Sequence, residues 1–334
     1  MLTFLQIVGG VVVTIILLII AFFAYVRIRY GKMIDQARQG HEPLQVHLNE
    51  DFAPDWIEKG EAAKYLEELK QSGFDIGKAY SIVEMEGVMV QSAFKPPLTA
   101  TLYFHPLAGN WVDISFQSKE SDREVDVTNA PLGETIDTRP ETRKLYMKDA
   151  RVPALIRAVV EEVGEEEGKL VNDSNYRDHF EDAYRKDMVW RCRRGGMTFE
   201  EFKATADAGD KKYKDSQIRE AYVETKLQEL HAWHDAALER VNDLDESWLD
   251  GIYDRGKAVF MLPAHGEVEA YIQYIADFGV IDEKQAEKLV GAFSGQSDLQ
   301  MVARRIFESI STELRPRKLR DIDFPIQGEL YEVG

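Results

Sequence analysis

The sequence predicts a membrane-anchored α+β protein: one N-terminal transmembrane helix, then an antiparallel-sheet α+β domain, then an all-α helical domain. Three observations lead to this fold class. Residues 1–26 carry no charged side chain. Five short runs rich in β-branched and aromatic residues, separated by turn residues, follow in the first half of the chain. The second half has apolar residues at helical spacing instead.

The N-terminal segment 1–32 has the features of an uncleaved transmembrane anchor with a basic flank. Its apolar run exceeds the roughly 20 residues that a helix needs to cross a bilayer. A cleaved signal peptide would begin with basic residues and have a shorter apolar region. The basic residues near the span all follow it, namely Arg27, Arg29, Lys32 and Arg38. Because Lys and Arg stay on the cytoplasmic side, we expect a single-pass protein of the inner membrane, with its N-terminus outside and its body cytoplasmic.

Composition limits the functions that the body can have. The chain of 334 residues has a formal net charge of −18, which repels nucleic acid, so we expect no nucleic-acid partner. Cys192 is the only cysteine, which excludes an intramolecular disulfide and fits a reducing compartment. The sequence contains no phosphate-binding loop, dinucleotide fingerprint, zinc-protease motif or EF-hand, and we therefore expect no cofactor.

A juxtamembrane linker (33–53) and an α+β domain (54–163) follow the anchor. Apolar residues at helical spacing predict a helix that ends at Gly73, and Pro153 suits the start of a second helix. Between them, strands are predicted at 79–85, 88–94, 98–104, 110–116 and 123–128. Their short connections favour a five-stranded antiparallel meander, because parallel crossovers need longer connections. The alternation in 110–116 is not clean enough to assign its two faces.

An acidic, glycine-containing linker (164–172) leads to a helical domain (173–320) and a C-terminal tail (321–334). Thr198 with Glu201, and Asp282 with Gln285, form two capping-box patterns that mark helix starts. A long helix over 211–244 carries a heptad seam. This seam predicts either a homodimer through a coiled coil or the core face of a monomeric bundle, and we expect the latter.

Two histidines in that long helix are candidate metal ligands. His231 and His234 are three residues apart, so both rings can face one ion. Such a site needs at least one more ligand, and the spacing does not match the Glu-x-x-His pairs of di-iron bundles. The alternative is one core histidine and one surface histidine.

Five basic residues form a candidate site for an anion or a lipid headgroup. They lie in the irregular segment 128–153, at Arg139, Arg143, Lys144, Lys148 and Arg151. Long loops in compact domains are often functional, and basic residues held near a bilayer attract anionic headgroups. The alternative, which we favour, is pairing with the abundant Asp and Glu residues of the same chain.

No catalytic signature is present, so the sequence favours a non-catalytic function. We expect a cytoplasmic body that acts as a scaffold or recruits an unknown protein partner at the membrane. The alternative is a membrane-anchored enzyme or ligand sensor with a pocket near the 128–153 loop. A deep pocket with convergent polar side chains and perturbed pKa values would favour this alternative.

Overall fold

The computed structural model describes residues 43–334, apart from 107, 132, 209–211, 245 and 324–325. The described part of the first half contains seven strands and two α-helices. The strands are β1 (Leu48–Asp51), β2 (Asp75–Ile82), β3 (Met89–Lys95), β4 (Leu98–His105), β5 (Gly109–Gln117), β6 (Glu124–Thr128) and β7 (Thr142–Tyr146). The helices are α1 (Gly60–Gln71) and α2 (Val152–Val163), and short 3-10 helices lie at Asp55–Glu58 and Gly133–Thr135.

The second half contains seven further helices and three strands in the described residues. The helices are α3 (Tyr176–Arg193), α4 (Phe199–Ala208), α5 (Asp215–Leu244), α6 (Glu246–Tyr253), α7 (Val268–Asp277), α8 (Glu283–Phe293) and α9 (Leu299–Ser309). The strands are β8 (Ala258–Pro263), β9 (Arg317–Ile322) and β10 (Gly328–Val333).

Strands β1 to β7 form one sheet in sequence order, antiparallel throughout except for the parallel pair β6–β7. One face is a continuous apolar core that packs on α1 and α2, with Leu102, Val112 and Val127 inaccessible to solvent. The opposite face packs on α3, where Tyr80, Val90 and Tyr176 belong to a separate apolar cluster. The sheet is therefore the middle layer between two helical layers.

Hydrogen bonds as well as apolar packing hold helix α3 against the main sheet and the segment that precedes β1. The Tyr176 hydroxyl and the Thr101 hydroxyl lie 2.9 Å apart on the buried face. The Leu48 amide donates to Glu181 at 2.7 Å, and the Tyr184 hydroxyl donates to the Pro43 carbonyl at 2.8 Å. This helix follows the predicted acidic linker, yet it covers the sheet of the first half.

The second half has a core of its own, built around the three-stranded antiparallel sheet β8–β10–β9. Phe260, Met261 and Leu262 of β8 are inaccessible to solvent. The seam of α5 contributes Val223, Leu230, Ala237 and Val241 to this same core, so the chain itself covers the heptad face.

The predicted fold class is wrong in its strand content. The main sheet has seven strands rather than five, and it includes a parallel pair. The second half is not all-α, because β8, β9 and β10 form a sheet there. Residues 129–141 provide the long connection that a parallel pair requires. Strand β1 lies within the predicted linker 33–53, and β10 lies within the predicted tail 321–334.

The predicted fold class also included a transmembrane helix, and the described residues contain none. No helix in the described part of the chain is long and apolar enough to cross a bilayer. The segment to which the anchor was assigned, residues 1–32, lies outside the described residues, as do the flanking Arg27, Arg29, Lys32 and Arg38.

The heptad seam of α5 gives a stability test of its role in the core. Leu230 is 2% exposed, so Leu230→Ala is expected to lower the free energy of unfolding by about 2–5 kcal/mol through lost burial and a residual cavity. Leu314 is 62% exposed, and Leu314→Ala is expected to change stability by less than about 0.5 kcal/mol. Urea denaturation measures both variants. A wild-type midpoint that rises with protein concentration would instead indicate that the seam associates between chains.

Candidate functional site

A cleft lies between the second face of the main sheet and helix α3. It encloses about 410 Å³, which is within the range of small-molecule sites. Strands β4 to β7 supply its floor and α3 supplies one wall, while Ala130, Pro131, Gly133 and Ile136 border it from the segment after β6. The cleft adjoins the 128–153 loop, and the enzyme or ligand-sensor function that the sequence offered as an alternative stays a prediction.

Strand alternation places polar side chains on the floor of the cleft. In β5, Val112, Ile114 and Phe116 are buried in the apolar core, and the residues between them face the other way. In β6, Val125 and Val127 are buried in the same core. The residues that face the cleft from these two strands include Trp111, Asp113, Ser115, Gln117, Glu124 and Asp126.

The cleft wall is one stripe of helix α3. Its cleft-lining residues recur at steps of three and four, which is the periodicity of one helix face. They are Tyr176, His179, Phe180, Ala183, Tyr184, Asp187, Met188 and Arg191. The stripe begins with aromatic rings and ends with charged groups, so the cleft has an aromatic portion and a polar portion.

Strand register brings two carboxylates together on the floor. Asp113 of β5 is opposite Thr128 of β6, and Ser115 is opposite Asp126. Asp113 and Asp126 are therefore diagonal neighbours, which places their Cα atoms about 7–8 Å apart. Lys144 of β7 is in register with Asp126 in the parallel pair and also faces the cleft.

Burial raises the pKa of both carboxyl groups. The pKa of Asp113 rises to about 6 because the group is desolvated, although the Lys144 charge and a hydrogen bond with Thr128 oppose the shift. The Oδ1 atom of Asp113 is inaccessible to solvent and has no hydrogen-bond partner among the described residues. Desolvation likewise raises the pKa of Asp126, opposed by a hydrogen bond with Ser115.

His179 of α3 faces the same polar portion of the cleft. Burial lowers the pKa of its imidazole below the usual value, although the nearby Asp126 charge opposes this effect. The ring is therefore mostly neutral at neutral pH and can donate one hydrogen bond and accept another. Together with the two carboxyls, it gives the cleft several groups whose protonation a ligand could change.

An aromatic wall adjoins Asp113. The rings of Tyr103 and Trp111 are stacked, with centroids 4.8 Å apart and planes 8° from parallel. Phe180 of α3 lies 6.3 Å from the Tyr103 ring. Trp111 is two residues before Asp113 on the same strand, so both side chains project from the same face.

Arg139 forms a buried ion pair with Glu124, one of the residues that line the cleft. Its Nη2 atom donates to Glu124 of β6 at 2.6 Å, and its Nε atom donates to Asp187 of α3. The Arg139 and Glu124 side chains are 10% and 12% exposed. The guanidinium thus neutralises two carboxylates of the cleft and connects the sheet to the helix above it.

The five basic residues of the predicted anion site occupy different surroundings. Arg139 forms the buried pair, and Lys144 faces the cleft. Arg143 lies on the other face of β7, 3.8 Å from Glu162, and Arg151 pairs with Glu61 and Glu68 over the Tyr65 ring. Lys148 is exposed. The structure does not gather them into one patch, and anion or headgroup binding stays a prediction.

The two histidines of the predicted metal site lie in different environments. His231 lies 2.9 Å from the Asp277 carboxylate on a partly exposed surface. His234 is buried against Phe278 and Tyr274, and burial lowers the pKa of its imidazole to about 4. No group of three or more potential metal ligands exists among the described residues. Cys192 is also buried, and burial raises the pKa of its thiol to about 12.

Sequence reasoning missed the floor residues Asp113 and Asp126, and His179 above them. The signal was present in the alternation of WVDISF and EVDVT, where every second residue is apolar. The missing information was that a helix covers the polar face.

Comparison with protein families, curated proteins and solved structures finds no match to this chain.

The raised pKa of Asp113 predicts a specific pH dependence of stability. The folded-state pKa is about 6, above the unfolded value of about 3.9. The folded protein therefore binds more protons between these values, and this contribution to stability is lost as pH rises through them. Asp113→Asn removes the penalty of the ionised form. We expect the stability of this variant relative to wild type to increase by about 2–3 kcal/mol between pH 4 and pH 8.

Chemical denaturation at several pH values measures this difference. Asp126, Lys144, His179, Tyr103 and Tyr176 also face Asp113, and comparison with wild type at each pH largely removes their own titration. Asp122→Asn, at an exposed turn position, is the matched control and is expected to give a flat difference. An equally flat profile for Asp113→Asn would contradict the raised pKa.

The ion pairs of Arg139 and Arg143 are expected to contribute unequally to the free energy of unfolding. Arg139→Met leaves Glu124 buried without its cation and is expected to destabilise the fold by about 3–5 kcal/mol. Arg143 is 61% exposed and only 3.8 Å from Glu162, so Arg143→Met is expected to cost less than about 1 kcal/mol. Urea denaturation near pH 7 compares them, and equal losses would show that the Arg139 pair is not a structural connection.

Proposed function

We propose that this protein binds a small organic molecule in the cleft between the main sheet and α3, as a substrate or as an effector. The observation that carries the proposal is the Asp113 carboxyl, which lies on the floor of the cleft beside the Trp111 ring and is desolvated there. Desolvating a carboxylate is costly unless it gains a partner. A ligand in the cleft that hydrogen-bonds to this carboxyl group offsets part of that cost.

The mixed lining of the cleft supports the same proposal. Small-molecule sites are mostly apolar and contain a few convergent polar groups that orient the ligand. Tyr103, Trp111 and Phe180 provide the apolar wall, and Asp113 and Asp126 provide the polar groups. Shifted pKa values of groups that share a cavity are typical of functional sites, and Asp113, Asp126 and His179 all show them.

The scaffold function that the sequence favoured stays a prediction. The exposed large apolar side chains of the described residues come from separate parts of the chain, namely Phe52, Val83, Val160, Leu170, Tyr213, Tyr253 and Leu314. The cleft, with its apolar wall and convergent polar groups, is the described feature that best supports a specific function.

A ligand screen with a cavity-filling variant tests the proposal. The full-length chain is screened against a panel of metabolites by thermal shift and native mass spectrometry. We expect at least one compound to bind and to raise the unfolding midpoint, by an amount equivalent to about 2.7 kcal/mol at a hundredfold excess over Kd.

Matched variants assign that binding to the cleft. Ala183 lines the cleft on α3, and Ala183→Trp places an indole in the ligand space. Ala204 is exposed on α4, so Ala204→Trp adds the same side chain elsewhere. We expect binding to be lost only in Ala183→Trp. A panel without any binder, or equal binding by both variants, would overturn the proposal.

A further inference from the structure

The carboxylates of the cleft differ in how far the protein neutralises them. Glu124 and Asp187 share the guanidinium of Arg139. Asp113 has a hydrogen bond with Thr128, and Asp126 has one with Ser115, and neither hydroxyl carries charge. The floor thus contains two acidic groups for which the chain supplies hydrogen bonds but little countercharge.

The cations that line the cleft do not balance this pair. Lys144 acts on both carboxyls through its charge, and Arg139 also acts on Asp126, although its guanidinium is already shared by Glu124 and Asp187. Lys169 lies at the far end of β5, where its backbone amide donates to the Gln117 carbonyl at 2.8 Å. Gln117 is four residues from Asp113, about 13 Å along an extended strand. His179 is held mostly neutral by burial. Arg191, which also lines the cleft, is twelve residues after His179 on α3, about 18 Å along the helix. The Asp113 end of the floor therefore keeps an excess of negative charge when both carboxyls ionise.

The surface beside Asp113 is one that favours an organic cation. Trp111 projects from the same face of β5, and its ring stacks on Tyr103. The faces of aromatic rings attract ammonium groups, most strongly for Trp and when water is excluded. A carboxylate acceptor next to an indole ring thus offers an ammonium group both a charge-assisted hydrogen bond and a favourable ring face.

We infer that the ligand of this cleft is a small organic ammonium compound whose cationic group contacts Asp113 and whose apolar portion lies along Tyr103 and Trp111. This inference rests on the proposed function, because it assigns a ligand class to the same cleft. An anionic ligand would meet the two carboxylates at the floor. A neutral ligand would leave the negative charge of Asp113 without a counterion.

Three probes of nearly equal shape and different charge test the assignment. Benzylammonium, benzyl alcohol and benzoate are titrated into the full-length chain near pH 8 and followed by ligand-observed NMR and calorimetry. We expect benzylammonium to bind at least about ten-fold more tightly than benzyl alcohol, because a hydrogen bond to an ionised partner is worth about 1.4 kcal/mol or more. Benzoate is expected to bind more weakly than both.

Variants locate the charge preference at Asp113. Asp113→Asn is nearly isosteric and is expected to fold, so it should bind the ammonium and the alcohol with similar affinity. Asp122→Asn, at the exposed turn position, is expected to keep the wild-type preference. Ala183→Trp is expected to abolish binding of all three probes. An unchanged preference in Asp113→Asn would overturn the inference.

The outcomes separate this inference from the proposed function. If benzyl alcohol or benzoate binds as tightly as benzylammonium and Ala183→Trp removes that binding, the cleft is a ligand site and the ammonium assignment is wrong. If none of the three probes binds, the assignment is also wrong, and the metabolite panel decides separately whether the cleft binds small molecules.

Discussion

The constraint on which the structure depends is that both faces of the seven-stranded sheet carry apolar side chains that need a covering layer. Neighbouring strands are about 4.8 Å apart, whereas a helix is only about 10–12 Å wide, so one helix shields roughly two strands. Two helices, α1 and α2, cover the apolar face together. On the other face, α3 packs on an apolar cluster from β1 to β3, and the cleft remains over β4 to β7. The cleft is thus a direct result of covering a wide face with one helix.

Local sequence signals account for much of the fold. Strands β2 to β6 correspond to the five predicted runs, and both capping boxes form, at Thr198 with Glu201 and at Asp282 with Gln285. The missed strands lack such signals. Strand β8 reads AVFMLP, a short continuous apolar run that periodicity cannot separate from a buried helix. Strand β9 reads RKLRDI, a mostly exposed edge whose pairing depends on β10. Strand β7 pairs across a long connection, which no local pattern reveals.

The site was harder to predict, because its meaning depends on a distant part of the chain. In an antiparallel sheet with one solvated face, Asp113, Ser115 and Asp126 would be ordinary outward-facing residues. They become site residues only because α3, which begins at Tyr176, returns to cover that face. Coverage by α3 also gives Asp113 its raised pKa, since desolvation is the largest cause of the shift. The packing of α3 on this face is a tertiary contact, and the alternation of residues along a strand cannot predict it.

The strongest argument for function is that two buried acidic groups of one cleft, Glu124 and Asp113, are stabilised by the protein in different ways. Glu124 and Asp187 pair with Arg139, whose guanidinium satisfies both. That arrangement is how a fold retains carboxylates for structural purposes. Asp113 has no such guanidinium partner among the described residues. Its carboxyl has a hydrogen bond with a hydroxyl, and one of its oxygens has no hydrogen-bond partner there. An asparagine would fill the same space without the cost of desolvating a charge. A residue that lowers stability where a neutral isostere would fit is expected where function requires it, and the open space beside Asp113 supports the proposed contact with a ligand.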